Sequence, residues 1–130
     1  MLLRSDHAPQ PRTLVDIFRE TVAQHPDEPA LDNGASSLTY AAFEEAANAV
    51  ADDLAAHGVG LGDKVGVRIA SGTLELYVAI MGILLAGAAY VPVDADDPDE
   101  RARTVFDEAH VAAVVTDGLV IRPAAWLAGR

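Results

Sequence analysis

The sequence predicts an α/β domain in which helices alternate with mostly parallel strands. Short runs rich in β-branched residues at 64–70, 89–93 and 111–116 are typical of buried strands. The segments between these runs carry apolar residues at helical spacing, and strands joined through helices form right-handed crossovers in a parallel sheet. With 130 residues, 51% hydrophobic and 22% charged, one domain with its own core is expected.

The N-terminal part is predicted to place a hairpin between two helices. Residues 1–12 are polar, contain two prolines, and are expected to form a flexible lead-in. Thr13 and Thr39 are predicted N-caps, and Asp16 completes a shortened capping box with Thr13. Asn33-Gly34 supplies the positive φ angles of a tight turn. The predicted elements are a helix over 14–25, a hairpin over 29–39 and a helix over 40–57.

The second half is predicted to supply the sheet. Its first helix is apolar nearly all round, so we expect it to be buried on most sides. Asp97 is the predicted N-cap of the last helix, with Pro98 at the first helical position and Glu100 three residues after the cap. Asp117-Gly118 predicts a turn. The predicted elements are strands over 64–70, 89–93 and 111–116, helices over 73–86 and from 98 to 109, and a returning hairpin strand at 119–121.

Composition excludes several classes of protein. The net charge is −11 and Lys64 is the single lysine. This composition argues against a protein that binds the phosphate backbone of nucleic acids. The absence of cysteine excludes disulfides and thiolate zinc sites. Residues 76–93 carry no charge and are long enough to span a membrane. Gly82, Gly87 and Pro92 interrupt them, so a buried helix, a turn and a buried strand explain the run better. We therefore expect a soluble cytoplasmic protein.

No group of residues predicts an active site from composition and spacing. His25, His57 and His110 lie near predicted helix ends, where the helix dipole favours a cation, and His7 lies in the lead-in. The acidic run at 94–100 lacks the spacing of a calcium loop and instead fits the N-terminus of a helix.

The turn formed by Ser71, Gly72 and Thr73 is the remaining candidate, because backbone N–H groups between a strand and a helix can hold a phosphate. A single glycine is weak support for that function. An ordinary turn, with Ser71 or Thr73 capping the helix, is the favoured interpretation.

Two passages resemble the adenylate-forming enzyme family. Leu38-Thr39-Tyr40, followed by His-Gly-Val at 57–59 and Gly-Asp-Lys-Val at 62–65, resembles the first core motif of those enzymes. Leu-Leu-Ala-Gly-Ala-Ala-Tyr-Val-Pro-Val-Asp at 84–94 resembles the second core motif of nonribosomal peptide synthetase adenylation domains. The resemblance covers roughly residues 13–117. It departs from the family pattern at Leu85, where lysine is usual, and at Ala42, where glutamate is usual. At 94–98 the sequence has Asp-Ala-Asp-Asp-Pro in place of the family's Asp-Pro-x-Tyr-Pro.

The resemblance implies that residues 13–130 are an incomplete N-terminal fragment of an adenylation domain, part of the N-terminal subdomain. Such a domain activates a carboxylic acid, here expected to be an amino acid, with ATP and Mg²⁺, and loads it on a carrier-protein thiol held by phosphopantetheine. The family's phosphate loop and C-terminal subdomain have no counterpart in this sequence. No catalytic, cofactor-binding or metal-binding residue is therefore assigned here, and the fragment alone is expected to be inactive.

The partners implied by the resemblance are the remainder of the adenylation domain, a carrier protein and an MbtH-like protein. Apolar surface beside the helix at 73–86 or at the open edge of the sheet is expected to allow self-association. Two alternatives stay open: a non-catalytic docking module of the same fold, and a small nucleotide-binding α/β protein that uses the turn at 71–73. The sequence does not specify which acid would be activated.

Overall fold

The computed structural model describes residues 13–127, so the predicted lead-in at 1–12 lies outside the described residues. Within this range, helices and strands alternate as predicted. The helices are α1 (Leu14–Gln24), α2 (Tyr40–Ala56), α3 (Leu74–Leu85) and α4 (Asp99–Ala109). The strands are β1 (Pro29–Asp32), β2 (Ser37–Thr39), β3 (Lys64–Arg68), β4 (Ala89–Pro92), β5 (Ala113–Thr116) and β6 (Val120–Pro123).

The strands form one small hairpin and one larger sheet. β1 and β2 pair antiparallel. The larger sheet has the order β4-β3-β5-β6, with β3 parallel to both of its neighbours and β6 antiparallel to β5. The predicted parallel sheet with a returning hairpin strand is confirmed. Because β3 lies between β4 and β5, the chain leaves β4 and crosses over β3 to reach β5.

The two faces of this sheet support separate apolar clusters. Val65, Val67 and Val115 face α2 and α3 and belong to the larger cluster. Val114 faces the other way and packs with Phe106 of α4. The alternation follows from the two-residue period of a strand, which sends successive side chains to opposite faces. Helices therefore cover both faces of β3 and β5.

The first two helices begin at the N-caps that the sequence predicts. Thr13 Oγ1 accepts from the backbone N–H of Asp16, whose carboxylate accepts in return from the N–H of Thr13, so the capping box is present. Thr39 Oγ1 accepts from the N–H of Ala42, and alanine has no carboxylate to return the bond. The hairpin forms, but its turn differs from the tight Asn-Gly turn that was predicted. Four residues, 33–36, join β1 to β2, and Gly34 has a positive φ of 88° whereas Asn33 does not. Asn33 Oδ1 accepts instead from the backbone N–H groups of Ala35 and Ser36.

The start of α4 differs from the prediction. Asp97 was the expected N-cap, but the helix begins at Asp99 and Pro98 is the capping residue, with no side-chain cap bond. Pro98 has a ψ of 149°, which is extended backbone rather than a first helical turn. The carboxylate of Asp97 instead accepts from Arg101 Nε at 3.2 Å. A salt bridge to the helix therefore replaces the backbone cap.

The uncharged residues 76–93 form a helix, a turn and a strand, as predicted. Residues 76–93 form most of α3, a turn at Gly87 and strand β4. Among the residues that the structure describes, no helix has the length and apolar character to cross a membrane.

Candidate functional site

The topology points to one edge of the sheet as the place to look for a site. The parallel strands β3, β4 and β5 end at the same edge, and the chain leaves β3 toward α3 on one face and β4 toward α4 on the other. Such a change of direction opens a crevice at the carboxyl ends of neighbouring strands, where ligands bind in many α/β folds. The candidate turn and the acidic run both lie at this edge.

Arg68, the last residue of β3, lies at this edge of the sheet. Its Nη1 donates to Asp99 Oδ1 at 2.7 Å, and its Nη2 donates to the backbone carbonyl of Asp97 at 2.6 Å. The side chain is 11% exposed. The guanidinium therefore ties the end of β3 to the start of α4, 31 residues later in the chain. A group already bonded to a carboxylate is poorly placed to neutralise a phosphate, so we regard Arg68 as a structural clasp.

The turn at Ser71, Gly72 and Thr73 makes hydrogen bonds to other groups of the protein. Thr73 Oγ1 donates to the carbonyl of Ala70 at 2.7 Å and makes no cap bond to α3. The part of the prediction that assigned a capping hydroxyl to Thr73 is therefore wrong. Asn33 Nδ2 donates to the carbonyl of Gly72 at 3.4 Å. The turn joins the hairpin to the sheet.

Two carboxylates stand beside this turn. Asp117 Oδ1 accepts from the N–H of Ala70 at 3.4 Å, and Glu75 Oε1 accepts from the N–H of Gly118 at 3.1 Å. Glu75 also lies in the first turn of α3, where its negative charge compensates the positive end of the helix dipole. Two negative charges would repel a phosphate, so the structure favours the ordinary strand-to-helix turn.

The acidic run at 94–100 is divided among separate local contacts. Asp94 Oδ1 accepts from the N–H of Asp96 at 3.0 Å, Asp97 pairs with Arg101, and Asp99 pairs with Arg68. Within residues 13–127, no group of three or more histidine and acidic side chains could hold a metal ion.

The described histidines lie at the ends of three different helices. His25, His57 and His110 are the C-cap residues of α1, α2 and α4. His57 Nδ1 lies 2.8 Å from the carbonyl of Asp53, and His25 Nδ1 lies 3.2 Å from Glu28 Oε2. These positions agree with the structural role predicted for them, and His7 lies outside the described residues.

Lys64 lies far along the strand from the candidate crevice. It is the first residue of β3, so it stands at the amino edge of the sheet, whereas Arg68 stands at the carboxyl edge. The single lysine of the chain is therefore not beside the turn at 71–73 or the acidic run.

Comparison with known sequences identifies the family. The profile of AMP-binding enzymes matches residues 18–128. This chain belongs to the AMP-binding enzyme family. Surfactin synthase subunit 2 of Bacillus subtilis is 38% identical over 100 residues, which are 77% of this chain and 3% of that protein. Bacitracin synthase 1 of Bacillus licheniformis is 36% identical over 110 residues, which are 85% of this chain and 2% of that protein. The chain thus spans a few per cent of the length of these relatives.

Solved structures agree with the sequence comparison. The N-terminal subdomain of NpsA from Klebsiella oxytoca superposes with a TM-score of 0.71 at 29% identity, covering 82% of this chain and 28% of that one. A four-domain nonribosomal peptide synthetase bound to AMP and glycine gives a TM-score of 0.73 at 32% identity, covering 83% of this chain and 8% of that one. The expected fold, part of the N-terminal subdomain of an adenylate-forming enzyme, is confirmed.

The described residues do not fit ATP and Mg²⁺ on their own. Charge neutralisation by Lys, Arg and Mg²⁺ is central to chemistry at phosphate. At the carboxyl edge of this sheet, Arg68 is bonded to Asp99 and the neighbouring side chains Glu75 and Asp117 are acidic. We therefore assign no reaction step to residues 13–127.

The clasp made by Arg68 was not foreseen from the sequence. Its two partners are 29 and 31 residues away, beyond the reach of any local pattern. The available signal was indirect: an arginine at the end of a predicted central strand, and an acidic run after the neighbouring strand.

Proposed function

We propose that this chain is an N-terminal part of a nonribosomal peptide synthetase adenylation domain, and that it serves there as scaffold. The complete domain would activate an amino acid with ATP and Mg²⁺ to an acyl-adenylate, and would load it on the phosphopantetheine thiol of a carrier protein. One observation carries the proposal: the chain is 36–38% identical to synthetases of this kind. The second core motif at 84–94 agrees with it and forms the end of α3, a tight turn and β4.

Scaffold is the role that the contacts support. The small residues of the motif allow α3 to turn sharply into the sheet, where Gly87 has a φ of 83° and Ala88 is buried. Tyr90 and Val91 then pair with β3. None of these groups is a nucleophile, a general base or a cation held in a cleft.

The proposal requires a longer polypeptide in the source cell. An immunoblot with an antibody raised against this chain is expected to detect a band far above the chain's own 13.6 kDa. A band at that mass would contradict the proposal, unless a second chain that supplies the ATP site copurifies with it.

Activity is tested by ATP–pyrophosphate exchange with a panel of amino, aryl and fatty acids. The 130-residue chain is expected to give no exchange above the blank, and the same chain extended by its downstream coding sequence is expected to exchange with at least one amino acid. Turnover by residues 1–130 alone would disprove the scaffold role. A folded, extended protein that is inactive with every acid would count against an adenylation domain, and exchange only with an aryl or fatty acid would correct the substrate class.

Partners and cellular location belong to the same proposal. We expect a cytoplasmic protein that contacts a carrier protein and, in some synthetases, an MbtH-like protein. Coexpression of the extended chain with an MbtH-like protein tests the second contact, because a dependent domain gains soluble yield and exchange activity and an independent one does not.

A further inference from the structure

The loop between β1 and β2 contains an Asn-Gly pair whose groups are arranged for an intramolecular reaction. The loop consists of residues 33–36, and all four are exposed. In such a pair the backbone nitrogen of glycine can attack the side-chain amide carbon of asparagine, because glycine has no side chain to obstruct the approach. A Cβ on Gly34 would meet nothing within 4 Å, so the rest of the protein does not restrict movement of this peptide.

The side-chain amide of Asn33 is activated by neighbouring donors. Its Oδ1 accepts from the backbone N–H groups of Ala35 at 3.0 Å and Ser36 at 2.9 Å, and Ser36 Oγ lies 3.5 Å away. Both residues come after Gly34, so the amide carbonyl is held over the peptide bond that joins Asn33 to Gly34. Donors on a carbonyl oxygen stabilise the negative charge that forms there when a nucleophile attacks the carbon.

A carboxylate is bonded to the attacking nitrogen. Gly34 N donates to Asp32 Oδ1 at 2.8 Å. This N–H must lose its proton as the new bond forms, and a carboxylate at hydrogen-bond distance can accept that proton. Asp32 is exposed, so water can carry the proton away. The loop therefore brings together a nucleophile, an acceptor for its proton and an activated carbonyl group.

We propose that Asn33 is a site of spontaneous deamidation in the folded protein, and that the reaction releases the hairpin from the turn at 71–73. Gly34 N forms a bond to Asn33 Cγ while its proton passes to Asp32. The bond from Cγ to Nδ2 breaks, Nδ2 accepts a proton from water and leaves as ammonia, and a succinimide ring remains. Water then adds to one of the two ring carbonyls and opens the ring to aspartate or isoaspartate. The net reaction consumes one water and releases one ammonia.

The product loses the contact that Asn33 makes with the sheet. Asn33 Nδ2 donates to the carbonyl of Gly72 at 3.4 Å, whereas a carboxylate has no proton to donate there. The new negative charge stands next to Asp32, and like charges at this distance repel. Isoaspartate also adds one carbon to the main chain between β1 and β2. Each change favours separation of the hairpin from the turn at 71–73.

Mass spectrometry of the folded 130-residue chain, kept at mildly alkaline pH, tests the reaction. Asn33 is expected to gain the mass of an amide-to-acid change and to be methylated by a protein isoaspartyl methyltransferase. Asn48, the other asparagine of the chain, is the internal control. It lies inside α2, where the N–H of Ala49 is held in the helix and carries a side chain beside it. Asn48 is therefore expected to stay unmodified.

Replacing the carboxylate tests its role in the reaction. Asp32→Ser keeps a hydroxyl that can accept from Gly34 N but is a far weaker base. We expect this variant to deamidate roughly threefold or more slowly, a smaller effect than a general base has in an enzyme because water also accepts the proton. Asp107→Ser, at an exposed position on α4, makes the same charge change and is expected to react at the parent rate.

Hydrogen exchange tests the consequence for the fold. Asn33→Asp reproduces one product, and its amides in residues 29–39 are expected to exchange faster than those of the parent. Asn48→Asp makes the same charge change on α2 and is expected to leave that exchange unchanged. Circular dichroism confirms that each variant is folded. The proposal would be overturned by a folded chain whose Asn33 stays intact after the urea-unfolded chain has reacted, by equal rates for Asp32→Ser and the parent, or by unchanged exchange in Asn33→Asp.

Discussion

Replacing Gly82 by alanine is expected to destabilise the fold, although alanine is the better helix former. Gly82 lies in the middle of α3 at the contact with α2. A Cβ at this position would stand 2.5 Å from Val50 Cβ and 2.9 Å from the carbonyl oxygen of Ala47. Both atoms belong to or directly adjoin the α2 backbone, so no side-chain rotation can relieve the contact. The two helices would have to move apart by about 1 Å to restore ordinary carbon–carbon separation of ~3.5 Å.

The size of the effect is the difference of two opposing terms. Alanine gains about 1 kcal/mol over glycine in a helix interior. Overpacking of a close-packed core costs about 1–3 kcal/mol, and the upper part of that range applies where backbone must shift. Because separation of α2 from α3 also loosens Val50, Leu54 and Ile83, which are at most 3% exposed, we expect a net loss of about 1–2 kcal/mol in the free energy of unfolding.

Urea unfolding followed by circular dichroism measures this loss. Gly60→Ala is the matched control, because its new Cβ would meet only the carbonyl oxygen of Ala86 at 3.7 Å, an ordinary contact. The control is expected to change stability by less than about 0.5 kcal/mol. If Gly82→Ala proves as stable as the parent, with an unchanged dependence on urea, then α2 and α3 do not pack as closely as described and the reasoning is refuted.

Three further substitutions probe the sheet and its connections by the same assay. Gly66→Ala would place a Cβ 2.6 Å from Phe106 Cε1, so a loss of about 1–3 kcal/mol is expected, partly recovered when Phe106→Leu is added; additive effects in that cycle would refute the contact. Arg68→Met removes the clasp to Asp99 and is expected to cost about 1–2 kcal/mol, and an unchanged unfolding midpoint would contradict its role. His110→Gly relieves a φ of 58°, which costs a non-glycine residue about 1–2 kcal/mol. It also raises the entropy of the unfolded chain, which offsets about 0.4–1 kcal/mol, so a net gain of about 0.5–1 kcal/mol is expected. A loss of stability would contradict this and would show that the contact of the His110 ring with the carbonyl of Glu108, 3.0 Å away, outweighs the strain.

Local patterns in the sequence were sufficient to predict most of the fold. The apolar stripes of the helices and the β-branched strands follow directly from side-chain periodicity. The capping box of Thr13 and Asp16 also formed as predicted, because both partners lie within one turn. Such features depend on residues a few positions apart, which is the range over which a sequence pattern can be interpreted without a structure.

The features that were missed depend on contacts between distant residues. Asp97 has the residue type of an N-cap, but its carbonyl accepts from Arg68, 29 residues earlier in the chain. Its carboxylate pairs with Arg101, only four residues later, and does not cap the helix. Tertiary contacts thus moved the start of α4 to Asp99. Gly66 weakens the alternation of β3 because the ring of Phe106 lies directly over it.

The motif that identifies the family most clearly is explained by packing rather than by chemistry. At Gly87 the chain must reverse from α3 into β4 with a φ of 83°, and Leu61 lies within 3.1 Å of the position where a Cβ would stand. Only glycine meets both conditions without strain. Ala88 is then buried in the larger apolar cluster, where a small side chain fits. The small residues of the motif therefore fit the place where α3 turns into the edge strand β4. A chain with this motif is identified by its fold, and its reaction depends on the residues that the fold supports elsewhere.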